Sequence, residues 1–596
     1  MNTTFIHPSL LLVAGSLLIP FIRGPLRKIY LLIIPVFVFA ITLRNSGLEG
    51  QFANFSFMEW HLVLGRVDKL SAVFALIMAL VTFLGTLYGL HVKRATESIA
   101  AWWYAAGALG VIYCGDYLSL FLFWEMMAFS SVFLVWFRRG PNSLATGYRY
   151  LLVHAAGGVI LLAGILLRYQ ATGNIDFSLM DVAHPQLYTW LIMAGFALNA
   201  AVVPLHSWLP DAYAEASFNG AVFMCAITTK TAVYTLARAC AGMDLLVLLG
   251  VVMALYGMFY ALMENDIRRL LAWSIVSQVG YMVAAVGLGT ELAINGAVAH
   301  AVVHILYKSL LFMGTGAVLY TTGKSKFTDL GGLYKKMPAT CALTLIGCLS
   351  IVGAPYFAAY VSKSMIVSAG FEDHRNWAAW LLMFAAVGTI LYNGLKLPYF
   401  LFFGKNNCDE ATWNKASDPP VNMLVAMTLG ATLCVLVGVV PGFLYERLPY
   451  LTEYTPFTTY HLVETLQLLG FTALVFMLMK KLIEPVDKPS LDIDWFYRQG
   501  GRAFFWTAKH PIQATDTAWG EAYRYCALPL TMLLARLAGW FDWHIIDGLV
   551  DGLARSVRGL GNRVRLLQSG QMQFTFFYAL SLVALLLATL SIFWIQ

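Results

Sequence analysis

Long apolar runs, interrupted by only a few charged residues, recur along this chain. The runs at 70–90, 118–137 and 574–594 are each long enough to cross a hydrocarbon layer as a helix, which takes about 20 residues. They lack the strict alternation of apolar and polar positions that is typical of a membrane barrel. Because only helices and closed barrels satisfy the backbone inside lipid, the pattern predicts an all-α polytopic membrane protein.

The same pattern predicts about sixteen membrane-spanning helices. Basic residues concentrate in every second loop, as at 93–94 and 268–269, whereas the alternate loops favour acidic residues. By the positive-inside rule, this places both termini on the non-cytoplasmic side of a cell inner membrane. The predicted spans are 9–23, 28–44, 68–91, 97–114, 117–136, 145–168, 186–206, 217–239, 243–263, 270–289, 293–320, 339–370, 376–402, 421–446, 459–480 and 573–595.

Composition agrees with a chain embedded in lipid and narrows the function. Of the 596 residues, 59% are hydrophobic and 12% are charged, and the mean hydropathy is +0.70. The 8 cysteines include no CxxC pair, so the sequence predicts no iron–sulfur cluster, no metal site and no other cofactor. The net charge of +7 is explained by the basic loops, and no nucleic-acid partner is predicted.

The stretch 482–571 is richer in charge than the rest of the chain and carries several tryptophans among basic residues. This composition predicts a segment along the membrane surface, with a plain cytoplasmic linker as the alternative. Its second half, 528–567, is predicted to form an amphipathic helix that is broken at glycines before the last span begins.

Ionisable residues inside the predicted spans are few, and they are candidates for an ion path because a charge in lipid is costly. Glu125 interrupts an apolar run, and Lys230 lies well inside a span. His300, His304 and Lys308 follow each other at steps of four residues, on one helical face. Two imidazoles followed by an amine suit proton transfer, and a structural histidine pair is the alternative.

Two further lysines lie near prolines. Lys363 follows Pro355 by two helical turns, and Lys396 precedes Pro398. Prolines in the middle of a span interrupt backbone pairing and leave polar groups that ions can use. A second interruption of this kind is predicted at 203–210.

A series of motifs from about residue 65 to about residue 405 resembles the proton-antiporter family shared by NADH:quinone oxidoreductase, membrane-bound hydrogenases and Mrp-type cation/proton antiporters. The core looks closest to the D-type subunits of Mrp antiporters. The tail, from Trp543 through 568–571 to the last span, looks like the end of the largest such subunits, which carry a lateral helix. The motifs are FWEMM at 123–127, PLHSWLPDAYAEA at 204–216, KTAVY at 230–234, DIRRLLAWSIVSQVGY at 266–281, HILYKSLLF at 304–312, DLGGLYKKMP at 329–338 and SK at 362–363.

The resemblance implies two inverted five-helix repeats, each with one broken helix, at about 97–239 and 243–402. The predicted domains are 1–96 with the N-terminal helices, 97–239 and 243–402 with the repeats, 421–481 with additional helices, 482–571 with the lateral segment and 572–596 with the last helix. By motif position the resemblance implies that Glu125 is the glutamate of a Glu/Lys pair, Lys230 the bridging lysine, His300, His304 and Lys308 the central file, and Lys363 the terminal lysine.

Two positions depart from the family pattern. The lysine that pairs with the glutamate is expected five residues before Pro204, and this chain has Asn199 there. Without that cation, Glu125 is either protonated or paired with another group, so the usual switch is missing or rebuilt. The second departure is Ala-Ser-Phe at 216–218, where the family usually has Ala-Pro-Thr.

The spacing of the lysines suggests one more path residue. Asn199 and Lys230 are 31 positions apart, and Lys363 and Lys396 are 33 apart. We therefore predict that Lys396 mirrors Lys230 in the second repeat and belongs to the exit path, with a lysine at the lipid interface as the alternative.

Three hypotheses about function follow. The favoured one is an ion-translocating subunit of an Mrp-type multisubunit Na⁺/H⁺ antiporter, which moves protons along buried Glu, Lys and His. The second is a proton-pumping subunit of a redox-driven complex whose redox centres lie in other chains, and the third is a non-pumping or proton-admitting scaffold. All three predict other membrane subunits and lipid as partners, including further antiporter-like subunits. The sequence leaves open whether Na⁺ is carried besides protons and whether the chain is part of an enzyme.

Overall fold

A computed structural model describes residues 5–451, 453–487, 492–567 and 570–593. It confirms the all-α polytopic prediction, because the described residues hold 12 helices that are long and apolar enough to cross a membrane. Three shorter apolar helices accompany them. The predicted count of sixteen spans is not confirmed, and the side on which the termini lie stays a prediction. Residues 594–595 of the predicted last span and 568–569 of the tail motif lie outside the described residues.

The chain divides into two compact units, Met1–Ile493 and Asp494–Gln596. The first unit begins with α1 (Pro8–Leu18), α2 (Gly24–Asn45), β1 (Gly50–Phe57), β2 (Trp60–Val67), α3 (Lys69–Tyr88), α4 (Ala95–Tyr113), α5 (Tyr117–Trp136), α6 (Ser143–Thr172), α7 (Leu187–Asn199), α8 (Trp208–Glu215), α9 (Gly220–Ala226) and α10 (Thr228–Ala239). It continues with α11 (Asp244–Met263), α12 (Ile267–Leu288), α13 (Glu291–Thr322), α14 (Pro338–Val352), α15 (Tyr360–Glu372), α16 (Asn376–Thr389), α17 (Glu410–Lys415), α18 (Val421–Val439), α19 (Gly442–Tyr445) and α20 (Thr459–Met479).

The centre of the first unit is formed by α13, which is almost entirely buried along its length. It packs against α3, α9, α12, α14, α15 and α18. A helix that is apolar on all sides and surrounded by other helices cannot face lipid, so its polar side chains must find partners within the protein. This places the predicted file of His300, His304 and Lys308 at the core of the bundle.

An antiparallel hairpin of β1 and β2, which the sequence analysis missed, joins α2 to α3. Its strands pair from Gly50 with Val67 to Phe57 with Trp60. The second strand also reaches the loop before α5, where the Val63 backbone amide donates to Asp116 Oδ2 over 2.8 Å. The hairpin was hidden because short strands between two spans give a much weaker apolar signal than the spans do.

Three spans of the first unit are interrupted inside the bundle. The stretch 200–207 separates α7 from α8, and Ile227 separates α9 from α10. The stretch 353–359 separates α14 from α15, so the single span predicted at 339–370 is wrong and is replaced by two helices. Gly353 has a φ of +78° and Pro355 has no backbone donor, and these two properties stop the helix there.

The loops before α5 and α12 have the same backbone contacts, 150 positions apart. Asp116 forms a bridge with Asp176, and Asp266 forms one with Lys326. Each of these aspartates also caps the helix that follows it, by accepting backbone N–H groups of its first turn. The two segments 97–239 and 243–402 therefore share this local structure before α5 and α12, at an offset of 150 positions.

The second unit consists of helices only within the described residues. The prediction that 528–567 is broken at glycines is wrong, because Gly539, Gly548, Gly552 and others continue the helix. Single π-helical turns separate the α-helical parts instead, and such turns lengthen a helix locally without ending it. The α-helices are α21 (Asp494–Thr507), α22 (Gln513–Ala522), α23 (Leu528–Phe541), α24 (Asp547–Arg565) and α25 (Met572–Phe593), with π turns at Ala508–Ile512, Tyr523–Ala527 and Asp542–Ile546.

Candidate ion path

The central file consists of His300, His304 and Lys308, all of them fully buried on α13. Lys308 donates from Nζ to the backbone carbonyl of Leu271 on α12 over 3.1 Å. Both ring nitrogens of His304 have no hydrogen-bond partner among the described residues. An imidazole in this position can take a proton on one nitrogen and release one from the other, because it has free acceptor and donor capacity.

His300 connects the file to α15 and α12. Its Nδ1 lies 2.9 Å from the Ser362 hydroxyl, and its Nε2 lies 3.5 Å from the Tyr307 hydroxyl. Tyr307 in turn donates to Gln278 Oε1 on α12, also over 3.5 Å. Gln278 and Tyr307 lie inside the sequence motifs, but the sequence analysis did not name them. Neither residue carries charge, so neither was selected by a search for ionisable groups.

Lys363 lies beside the file and borders a cavity. It follows Ser362 directly on α15, and its Nζ donates to the Ile351 carbonyl over 2.8 Å. That carbonyl belongs to the last turn of α14 and is free because the helix stops there. The side chain is 8% exposed and lines a cavity of about 310 Å³ together with Glu372, His461 and Glu464. The break between α14 and α15 thus gives one lysine of the path access to a polar cavity.

Lys230 lies in the first turn of α10, just after the interruption at Ile227. Its Nζ donates to the Cys225 carbonyl over 2.6 Å and to Thr229 Oγ1 over 3.0 Å. The Cys225 thiol lies 4.0 Å from the hydroxyl of Ser309, the neighbour of Lys308 on α13. Lys230, the predicted bridging lysine, is therefore connected to the central file through one residue, Cys225.

Lys396 ends the π-helical turn Ile390–Lys396 and is 1% exposed. Its Nζ donates to the carbonyls of Leu262 and Glu264, over 2.6 and 2.8 Å. These carbonyls lie at the end of α11, and a carboxylate oxygen of Glu264 lies 3.2 Å from the Arg269 guanidinium. Lys396 is thus a buried, bonded lysine, a position that does not support the alternative of a side chain at the lipid interface.

We call the segments 97–239 and 243–402 the first and the second half of the core. Glu125 and Asn199 lie in the first half, and they lack the hydrogen bonds that the other path residues, His304 excepted, form. Glu125 Oε1 is buried without a hydrogen bond, and no cation pairs with this carboxylate among the described residues. Both polar atoms of the Asn199 amide are buried without a partner as well. Within the part of the chain that the structure describes, no lysine or arginine pairs with this carboxylate to replace the missing one.

Comparison with known proteins identifies the relatives of this chain. Residues 114–391 match the family described as NADH:quinone oxidoreductase/Mrp antiporter, transmembrane. This match covers 278 of the 596 residues, less than half of the chain. The match ends before Lys396 and includes all the other predicted path residues.

Relatives within the family come from different kinds of complex. The chain is 30% identical over 433 residues to hydrogenase-4 component B of Escherichia coli, covering 65% of this chain and 64% of that protein. It is 28% identical over 488 residues to Na⁺/H⁺ antiporter subunit A1 of Staphylococcus haemolyticus, covering 73% of this chain and 60% of the relative. NAD(P)H-quinone oxidoreductase subunit 5 of Chara vulgaris is 26% identical over 644 residues, covering 96% and 95% of the two chains. The chain thus spans less than two thirds of the length of the first two relatives.

Solved structures share the fold of this chain. A chain of the Mrp complex from Dietzia sp. DQ12-45-1b aligns with a TM-score of 0.66 at 20% identity, covering 74% of this chain and 95% of that one. A chain of an archaeal membrane-bound sulfane sulfur reductase also aligns with a TM-score of 0.66, at 24% identity, covering 78% and 98%. Both structures are multisubunit membrane complexes. The closer likeness to D-type Mrp subunits stays a prediction.

One further polar contact joins both halves of the core. Tyr256 on α11 donates to Asp492 Oδ1 over 2.6 Å, and His206 Nε2 lies 3.4 Å from the same oxygen. His206 belongs to the interrupted stretch after α7. Burial alone would raise the pKa of the Asp492 carboxyl, but the contacts with His206 and Tyr256 outweigh it and hold this pKa below its ordinary value.

Proposed function

We propose that this chain is the ion-translocating subunit of a multisubunit Na⁺/H⁺ antiporter of Mrp type, and that it moves protons between Lys230, the central file and Lys363. The observation that carries the proposal is the arrangement around α13. Fully buried titratable side chains lie in one file there, and the adjacent Lys363 borders a polar cavity. Such groups are energetically costly inside a membrane bundle, and their presence there therefore favours a role in a path for ions.

Each path residue has a role in this proposal. Lys230 exchanges protons with the Lys308 end of the file, where the Cys225 and Ser309 side chains meet. His304 and His300 carry protons along α13, and the Ser362 hydroxyl passes them towards Lys363. Each lysine rests on a backbone carbonyl, which stabilises its charged form, so proton release has to accompany a movement of the ammonium group away from that carbonyl. Opening and closing of the interrupted helices is the movement that the fold makes available.

The test is ΔpH-linked and Na⁺-linked exchange in inverted membrane vesicles that carry the whole complex. Lys363→Ala is expected to lower both rates by roughly a hundredfold, as is typical when a proton-transferring group is removed. Lys415→Ala is the matched control, because Lys415 is an exposed lysine at the end of the short helix α17. Unchanged exchange in Lys363→Ala, at equal amounts of assembled complex, would contradict the proposal.

A second candidate is a proton-pumping subunit of a redox-driven complex, favoured by the similarity to hydrogenase-4 component B and to quinone oxidoreductase subunit 5. It predicts that the chain purifies together with subunits that carry iron–sulfur or flavin groups. It also predicts proton transport that depends on an electron donor and is indifferent to a Na⁺ gradient. The Mrp-type proposal predicts the opposite result in both measurements.

A third candidate is a proton-admitting scaffold, favoured by the absence of a cation beside Glu125 among the described residues. It predicts that Glu125→Gln leaves exchange by the complex unchanged. Removal of the whole chain would then abolish assembly.

A further inference from the structure

The helix α6 carries a row of residues that corresponds to the central file on α13. The offset of 150 positions between the bridges Asp116–Asp176 and Asp266–Lys326 holds along these two helices. Both helices end at a glycine in the left-handed region, Gly173 and Gly323, which are again 150 apart. The offset is thus fixed at the C-terminal ends of α6 and α13, and both helices run without a break back from these glycines, which allows a comparison residue by residue.

At this offset His154 corresponds to His304, the central histidine of the file. Tyr150 corresponds to His300 in the same way, and Gly158 corresponds to Lys308. A histidine is thus the one titratable group of the file that recurs at the same position of both helices.

His154 is buried in the same manner as His304. It is 1% exposed, and neither of its ring nitrogens has a hydrogen-bond partner among the described residues. Its ring lies against Tyr150 and Trp208, with centroids 4.2 and 4.6 Å away. The amide of Asn199 faces the ring without forming a well-aligned hydrogen bond. Two adjacent polar side chains with no partners in the middle of a bundle require water or a mobile proton.

The Glu125 carboxylate, which extends from α5, packs against Gly158 of α6. A Cβ atom at position 158 would lie 2.0 Å from Glu125 Oε1, so the carboxylate occupies the space that a side chain would fill. Gly158 is one turn after His154 on the same helix face. The carboxylate therefore lies where the offset of 150 places Lys308 in the other half, one helical turn along α6 from the histidine.

A polar route leads from His154 towards Lys230. The Tyr150 hydroxyl lies 2.8 Å from the Ser131 hydroxyl and also faces Thr228. Thr228 opens α10 and is two residues before Lys230.

We propose that His154 is the proton relay of the first half of the core and that it replaces the lysine missing at position 199. In each passage one ring nitrogen of His154 accepts a proton from the Glu125 carboxyl, and the other ring nitrogen releases one towards Lys230. The ring returns to its neutral form, and no other bond changes. Asn199 acts as a positioning residue, which holds the ring or a water beside it. The proposal rests on the proposed proton-translocating function and adds a residue to it.

The test compares exchange by the whole complex in inverted vesicles for His154→Phe, for His154→Phe combined with Asn199→Lys, and for Lys363→Ala. Phenylalanine keeps an aromatic ring between Tyr150 and Trp208, so the packing is retained while the relay is lost. His91→Phe is the matched control, because the His91 ring is also enclosed by aromatic rings, 5.4 Å from Phe218 and 4.9 Å from Tyr320. The amount of assembled complex is measured for each variant.

His154→Phe is expected to lower the exchange rate at least about tenfold at full assembly, and His91→Phe to leave it unchanged. Asn199→Lys in the same chain is expected to restore the rate to within about threefold of the wild type, because it returns a cation to the Glu125 carboxylate. Wild-type exchange in His154→Phe, or a loss that Asn199→Lys does not restore, would overturn the relay. If Lys363→Ala also exchanges like the wild type, the proposed function itself fails, and the two failures are thus told apart.

Discussion

The two halves of the core differ in whether their buried polar path residues have hydrogen-bond partners. In the second half, His300 contacts the Ser362 and Tyr307 hydroxyls, and Lys363 is bonded to a free carbonyl. In the first half, Glu125 Oε1 and the Asn199 amide have no partner among the described residues. Each such buried group costs about 1–3 kcal/mol when it stays unpaired.

This difference indicates that the second half is preorganised by protein contacts, whereas the first half has to be completed by water or protons. Among the path residues of the second half, His304 is an exception, because its ring also has no partner among the described residues. It is also the residue that corresponds to His154. The unpaired histidines are thus the feature that both halves share, and the charged partners are the feature in which they differ.

Removal of Lys308 is the strongest way to test the second half. We expect Lys308→Ala to lower ΔpH-linked exchange by roughly a hundredfold, because no other ammonium group on α13 can take its place in the file. Exchange in vesicles, normalised to the amount of assembled complex, measures this. The control is Lys335→Ala, a loop lysine outside the file. A rate within the error of the wild type would show that the file does not conduct.

Filling the space at Gly158 tests the first half. Gly158→Ala places a Cβ atom 2.0 Å from Glu125 Oε1 and must move the carboxylate. We expect exchange to fall by roughly tenfold, since the carboxylate leaves the relay, and stability to change little, because the displaced atoms are the end of a flexible side chain. Gly470→Ala on α20 is the control, because a Cβ atom there meets nothing within 4 Å. Unchanged exchange would show that the first half serves only assembly.

The Tyr307 hydroxyl tests how much the protein contacts of the second half contribute. Tyr307→Phe removes the group between His300 and Gln278 and keeps the ring. We expect a rate about threefold lower, because one neutral hydrogen bond contributes about 1 kcal/mol and the remaining Ser362 contact still orients His300. Tyr334→Phe, an exposed tyrosine at the loop end of the bundle, is the control. A loss as large as that of Lys308→Ala would mean that Tyr307 itself carries protons.

The smallest effect is expected at Asp492, which contacts both halves. Its pKa is lowered in the folded state, so its contribution to stability is present above its ordinary pKa, about 4, and is lost as the pH falls through the folded value. Limited proteolysis of the purified complex around residues 484–493 should therefore be slow at pH 7 and faster in acid. In Asp492→Asn the rate at pH 7 should rise about threefold and lose this pH dependence. Equal rates for both chains at pH 7 would contradict this contact.

Much of the path was predictable from residue type and spacing. A charge within an apolar run stands out at any position, so Glu125, Lys230, Lys363 and Lys396 could be selected from the sequence. Helical periodicity placed His300, His304 and Lys308 on one face. Their buried positions agree with that selection, and their roles stay proposals.

His154 was missed although it is as buried as His304. Its span holds no second histidine and no lysine at helical spacing, so no periodic signal marked it. The β-hairpin and the glycine-containing helices α23 and α24 were misjudged for a related reason. Local propensity decides little when neighbouring strands or long-range helix context supply the missing hydrogen bonds.

The sequence by itself determined the membrane class, most of the spans and the charged residues among them. The reason is that the hydropathy of each side chain decides whether a segment partitions into lipid. The sequence also determined that position 199 holds no cation. Only the tertiary structure decided where helices are interrupted, which carbonyl holds each lysine and that Glu125 fills the space at Gly158. These features depend on contacts between helices far apart in the chain, and no local pattern specifies such contacts.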